Sequence, residues 1–111
     1  MKTYSAQSGY VYQYYFEGHR QIPGAESSRE FVFQVSADRK EWNAVSVCVA
    51  DAAMRSWEQS QARRLSSTEH YAIAKIALFQ AFDERPAPAG MKTAIHVRDA
   101  DLRAILETLD L

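Results

Sequence analysis

Cys48 and His96 are the two side chains whose chemistry would be catalytic if the fold brought them together. An imidazole that takes the thiol proton leaves a thiolate, the form of cysteine that attacks electrophiles. Each sits in a short alternating run, Val45-Ser46-Val47-Cys48-Val49 and Ile95-His96-Val97. The β-branched residues take every second place, so thiol and imidazole share the opposite face if these two strands are neighbours in the right register. No helix N-terminus is aimed at Cys48 to activate it. A small cysteine and a surface histidine often share a sheet face with no reaction between them, which is the simpler account of the pair.

Glu17, His19 and Arg20 form a second group, at the mouth of a loop centred on Pro23-Gly24. Functional residues concentrate on loops carried by a rigid scaffold, although one Glu, one His and one Arg are also ordinary surface chemistry. His70, at a helix start, is plainer still. Gly9, Gly18, Gly24 and Gly90 are too widely spaced for a phosphate-cradling loop, and the chain has neither a G-x-S-x-G elbow nor an H-E-x-x-H helix. One cysteine and three histidines at unrelated spacings predict no metal site and no cofactor.

The elements that would position these residues are readable from periodicity. Tyr10 to Glu17 alternates Tyr10, Tyr12, Tyr14 and Phe16 against Val11, Gln13, Tyr15 and Glu17, an aromatic-rich pattern suited to a half-buried strand. Glu30 to Val35 puts Phe31, Phe33 and Val35 together, and Asn43 to Val49 does the same with Val45, Val47 and Val49. Between the first two lies a ten-residue loop, His19 to Ser28; between the second and third a hairpin connection, Ser36 to Glu41, with Asp38 as turn former and Trp42 re-entering the sheet.

The second half reads as helix. Asp51 caps a first helix to about Gln61, and Ser66 with Glu69 makes a capping box for a second, from about Ser67 to Asp83. That helix is apolar nearly all round, which makes it the central buried one. Pro86, Pro88 and Gly90 end it. The stretch Ile95 to Arg103 then parallels Val47 to Arg55: a strand, an Asp and a helix start. It predicts a fourth strand over Thr93–Val97 and a terminal helix over Asp99–Leu109. In that helix Leu102, Ile105, Leu106 and Leu109 face the core, and Asp99–Arg103 and Arg103–Glu107 pair along the exposed side. The order β-β-β-α-α-β-α predicts an α+β fold, a mainly antiparallel four-stranded sheet with helices packed on one face.

Composition bounds the function. The chain has 111 residues, 47% hydrophobic and 24% charged, with 13 Lys+Arg against 14 Asp+Glu. This is ordinary for one globular domain, here residues 1–111 with 1–9 as a flexible N-terminus, and it excludes a disordered tail or a polybasic arm. A lone cysteine and no apolar leader in the first nine residues fit a cytoplasmic protein. The least polar run, Tyr71 to Phe82, is too short for a membrane span and is broken by Lys75 and Gln80.

What stands out is the second sheet face. Val11, Tyr15, Val32, Ala44 and Cys48, interleaved with Gln13, Gln34 and Ser46, are too apolar for a fully wet surface and too polar for a second core. The leading expectation is a non-enzymatic protein that associates with itself as a homodimer, or with another protein, through Val11, Tyr15, Val32 and Gln34 or along the edge of the first strand. One alternative is a small-molecule-binding domain or minor enzyme, with a pocket between sheet and central helix lined by Tyr12, Tyr14 and Trp57. Another is nucleic-acid binding through Arg55, Arg63 and Arg64, against which the balanced charge argues.

Overall fold

A computed structural model of the chain describes all residues, Met1–Leu111. Every alternating run forms a strand, and a further strand precedes them. The strands are β1 (Lys2–Ser5), β2 (Val11–Ile22), β3 (Ser28–Ser36), β4 (Asn43–Ala50) and β5 (Ile95–Val97), and the sheet follows that order from edge to edge. The expected four strands are therefore five, and the stretch 1–9 read as a flexible end contains β1, paired antiparallel to β2 from Lys2↔Tyr14 to Ser5↔Val11. The first four strands form an antiparallel meander, while β5 runs parallel to β4, with Val47↔Ile95 and Val49↔Val97. The class is α+β, with a mixed sheet.

The helices are α1 (Asp51–Gln61), α2 (Ser67–Glu84) and α3 (Asp99–Thr108), with a short 3₁₀ turn at Pro88–Lys92. A parallel neighbour needs a crossover, and α1 and α2 supply it between β4 and β5. Phe31, Phe33, Val35, Val45, Val47, Val49, Ile95 and Val97 are buried in one cluster with Trp57 of α1, Ile73, Leu78 and Phe82 of α2, and Leu102, Ile105 and Leu106 of α3. The residues between them, Val32 and Gln34 on β3 and Ala44, Ser46 and Cys48 on β4, keep partial or full exposure. The core therefore lies on one side of the sheet.

Local signals explain most boundaries. Ser66 Oγ accepts from Glu69 N–H while Glu69 Oε1 accepts from Ser66 N–H, the reciprocal box that starts α2. Asp38 Oδ1 accepts from the N–H groups of Lys40 and Glu41, both at 2.8 Å, and shapes the β3–β4 turn. Asp51 does not cap α1. Ala50 occupies the cap, and the Asp51 carboxylate accepts from Gln21 Nε2. Arg98, and not Asp99, stands at the cap of α3, where Asp101 Oδ2 accepts from the Arg98 N–H at 3.0 Å. Arg103 forms no ion pair with Asp99 or Glu107; the molecule's two ion pairs are Arg20–Glu30 and Arg63–Glu69.

The loop expected over His19–Ser28 is also shorter, because β2 continues to Ile22 and leaves only residues 23–27 as turn. The pairing shifts between Phe16↔Phe33 and Gly18↔Val32, so Glu17 is the extra residue of a β-bulge. A bulge changes the phase of the side chains beyond it. Strict alternation would place Gly18 and Arg20 on Phe16's face; the bulge places His19 and Gln21 there instead, opposite Phe31 and Arg29.

β1 is held down by aromatic stacking and by one carboxylate. Tyr4 stacks on Phe79 at 4.3 Å and Tyr12 on Phe82 at 4.2 Å. Asp83 at the end of α2 accepts from Tyr4 Oη at 2.8 Å and from Gln7 N–H at 2.9 Å, and Ser8 Oγ donates to the Phe82 carbonyl at 2.8 Å. Removing the carboxylate with Asp83→Ala should cost about 1–3 kcal/mol, the range for partly buried hydrogen bonds to a charged group. Amide exchange of Tyr4 and Ala6, whose N–H groups point toward β2, should quicken relative to β3; unchanged protection there would contradict this anchoring role.

Candidate functional site

The register sets Val11, Tyr15, Val32 and Gln34 on the sheet face away from the helices; Tyr15, Val32 and Gln34 lie together, while Val11 pairs with Ser5 and is separated from Tyr15 by the buried Gln13. Tyr15 lies opposite Gln34, Gln34 opposite Ala44, and Val32 opposite Ser46. Val11 and Tyr15 are each 45% exposed, a high figure for large apolar side chains in a sheet. Trp42 does not enter β4, which begins at Asn43; it packs on the Tyr15 ring at 5.4 Å. Gln13, on the same face, is buried, with its Oε1 lacking a partner. The charges of this face are tied to neighbours: Arg20 Nε donates to Glu30 Oε1 at 2.7 Å, and Gln34 Nε2 donates to Glu17 Oε2 at 3.1 Å. The Arg20 guanidinium, first among the influences on it, lowers the Glu30 carboxyl below its ordinary range. The edge of β2 is covered by β1 only over Val11–Tyr14; beyond it the bulge and the polar run Glu17–Gln21 blunt the free edge.

Cys48 and His96 do become register partners, since β4 and β5 are adjacent. Their surroundings do not activate the thiol. Burial pushes the Cys48 thiol up, and the Glu30 carboxylate pushes it further in the same direction. His96 is exposed, and no hydrogen bond joins the two. A cleft of about 580 Å³ opens beside them, its wall mixing Ala50, Ala53 and Ala100 with Glu26, Arg55 and Asp99.

Tyr12, Tyr14 and Trp57 are buried within the core cluster, and none of them lines one of the five main clefts. Tyr12 is packed against Phe82, and Tyr14 is packed edge-on against Phe79. Arg55, Arg63 and Arg64 do gather on one surface at the end of α1. Arg63 is engaged twice, by the Glu69 carboxylate and by the Trp57 ring 5.8 Å away.

Two adjoining lobes of a second cleft hold residues that spacing could not reveal. The first, about 190 Å³, lies between the ends of β2 and β3, α1 and the α1–α2 turn; Gln21, Arg29, Asp51, Arg55, Glu58, Arg64 and His70 line it. The second, about 390 Å³, shares Arg29, Phe31 and His70 and adds Phe16, His19 and Tyr71. Arg29 Nη1 donates to His19 Nδ1 at 2.9 Å, and Glu58 Oε2 accepts from the Leu65 N–H at 2.7 Å. His70 Nε2 is buried with no hydrogen-bond partner. Burial holds its pKa down, the Arg29 charge acts the same way, and Glu58 and Glu69 oppose both. These residues come from five separate segments. The one signal that could have found the cleft was polar residues at core-facing positions of β2 and β3.

No group of three His, Cys, Asp or Glu side chains is placed to hold a metal ion, and no helix is long and apolar enough to cross a membrane. No family model matches the sequence, and neither a curated protein nor a solved structure matches it significantly.

Proposed function

We propose that this protein works by association, pairing with a second copy of itself across the outer face of its sheet. The observation that carries the reading is the pair of large apolar side chains, Val11 and Tyr15, left 45% exposed on a face that no helix covers. Strands about 4.8 Å apart with a rise of about 3.4 Å per residue give the sheet roughly 590 Å² in projection, approaching the ~800 Å² each partner contributes to a stable complex. A copy of the same face is favoured because Arg20 and Glu30 stand side by side on it. A two-fold axis can set each against its opposite in the partner, and the two like faces do not repel.

Sedimentation equilibrium of the wild-type protein should give a dimer in the micromolar range. The double variant Tyr15→Asp, Val32→Lys should be monomeric while keeping its far-ultraviolet dichroism, since neither residue is in the core. A wild-type monomer, or a dimer untouched by the double substitution, would overturn the reading.

A further inference from the structure

The two-lobed cleft on the helix-covered side carries an unbalanced set of charges. Arg29, Arg55 and Arg64 converge on it, and none has a carboxylate partner. The two acids in its wall bond to neutral donors, Asp51 to Gln21 and Glu58 to the Leu65 N–H, and keep their charge, so the lobe holds three positive charges against two negative. Next to this cationic lobe the wall becomes aromatic. Phe16, which is 37% exposed, meets Tyr71 edge-on at 5.0 Å, and the His19 ring lies nearly parallel to that of Phe16. Exposed rings beside unpaired guanidiniums, with the orphaned His70 Nε2 where the lobes meet, are complementary to a ligand apolar at one end and anionic at the other.

We propose that this cleft binds a small aromatic oxyanion, its ring against Phe16, His19 and Tyr71 and its carboxylate or phosphate against Arg29 and Arg64. The bulge at Glu17 is what makes the site, because it turns His19 and Gln21 onto this face. The lobes together fall within the few hundred cubic ångströms usual for such ligands. The site is on the opposite side of the sheet from the proposed dimer face, so the two readings stand or fall separately.

Isothermal titration calorimetry with four probes tests it: phenyl phosphate, benzoate, inorganic phosphate and benzyl alcohol. Phenyl phosphate or benzoate should bind at least about tenfold more tightly than either inorganic phosphate or benzyl alcohol, and the tighter of the two shows which head group the guanidiniums prefer. The exposed substitution Arg64→Ala should weaken the aromatic anions about tenfold, the usual loss for one charge-assisted contact. Phe16→Ser should weaken phenyl phosphate while leaving inorganic phosphate unchanged. Equal binding of the ring-bearing and ring-free anions, binding that Arg64→Ala leaves unchanged, or no binding by either aromatic anion would overturn the proposal. Dichroism of each variant checks that the fold is kept.

Discussion

Phe82→Ala is expected to destabilise the protein by about 3–5 kcal/mol, the range for truncating a fully buried aromatic residue. Phe82 has no exposed surface and sits where β1, β2 and α2 meet. It stacks on Tyr12 at 4.2 Å, and Tyr4 and Tyr14 approach it at 5.7 and 6.3 Å. Alanine would leave a void walled by three rings that are themselves pinned: Tyr4 by Asp83 and Phe79, and Tyr12 and Tyr14 by their strand partners. Such walls relax little, so the cost belongs at the upper end. Urea unfolding followed by tryptophan fluorescence measures it through Trp57 in the core. A loss under about 1.5 kcal/mol would mean that this aromatic cluster is not a unit of the core.

The second large effect is alkaline. Burial raises the phenols of Tyr4, Tyr12 and Tyr14 above the usual tyrosine range; Asp83 adds to it at Tyr4, Tyr10 at Tyr12 and Tyr71 at Tyr14. Each phenol thus keeps its proton longer in the folded chain than in the unfolded one. Above about pH 10 the unfolded state binds fewer protons, so stability falls as pH rises, by up to about 1.4 kcal/mol per pH unit for each linked phenol. The three phenols act in the same direction, so their contributions to the alkaline slope add. The raised Cys48 thiol acts in the same direction, and Lys75, lowered by burial and by Lys2, acts against it.

Unfolding midpoints at pH 8, 10 and 11 check the slope, and Tyr12→Phe isolates one share of it. The Tyr12 hydroxyl is buried without a hydrogen-bond partner, so the phenylalanine should match or exceed wild-type stability at pH 7 by about 1 kcal/mol and flatten the alkaline slope. A destabilised Tyr12→Phe, or a flat profile to pH 11, would contradict this account.

The parts of the fold that were legible in the sequence are those where local chemistry and tertiary packing agree. Val45, Val47 and Val49 alternate because one face of β4 is core and the other is not, and Ser66 with Glu69 signals a helix start by side-chain geometry alone. β1 was not legible because Lys2-Thr3-Tyr4-Ser5 offers one aromatic residue among polar ones; it is a strand because Tyr4 finds Phe79 and Asp83, both more than seventy positions away. The second half of β2 was hidden similarly, since Gly18 to Gln21 is polar and the bulge breaks the alternation. The apolar outer patch was readable from strand parity. The cleft was not, since His19, Arg29, Arg55, Arg64 and His70 share no spacing and meet only through the bulge and the crossover.

The parallel pairing of β5 with β4 has a kinetic consequence. The meander β1–β4 closes through short turns, whereas β5 reaches β4 only after Ala50 through Ala94 have been gathered into one loop. Loop closure over that length is the largest entropic cost in the topology, and three register pairs are its direct return. The hairpins therefore form early and the β4 edge stays open until α1 and α2 dock. During that interval the stretch Val47–Val49, paired with β3 on one side, presents a free strand edge to other chains on the other. Variants that slow this one closure are expected to lose more refolding protein to aggregation, read as light scattering during refolding, than equally destabilised variants that leave it untouched.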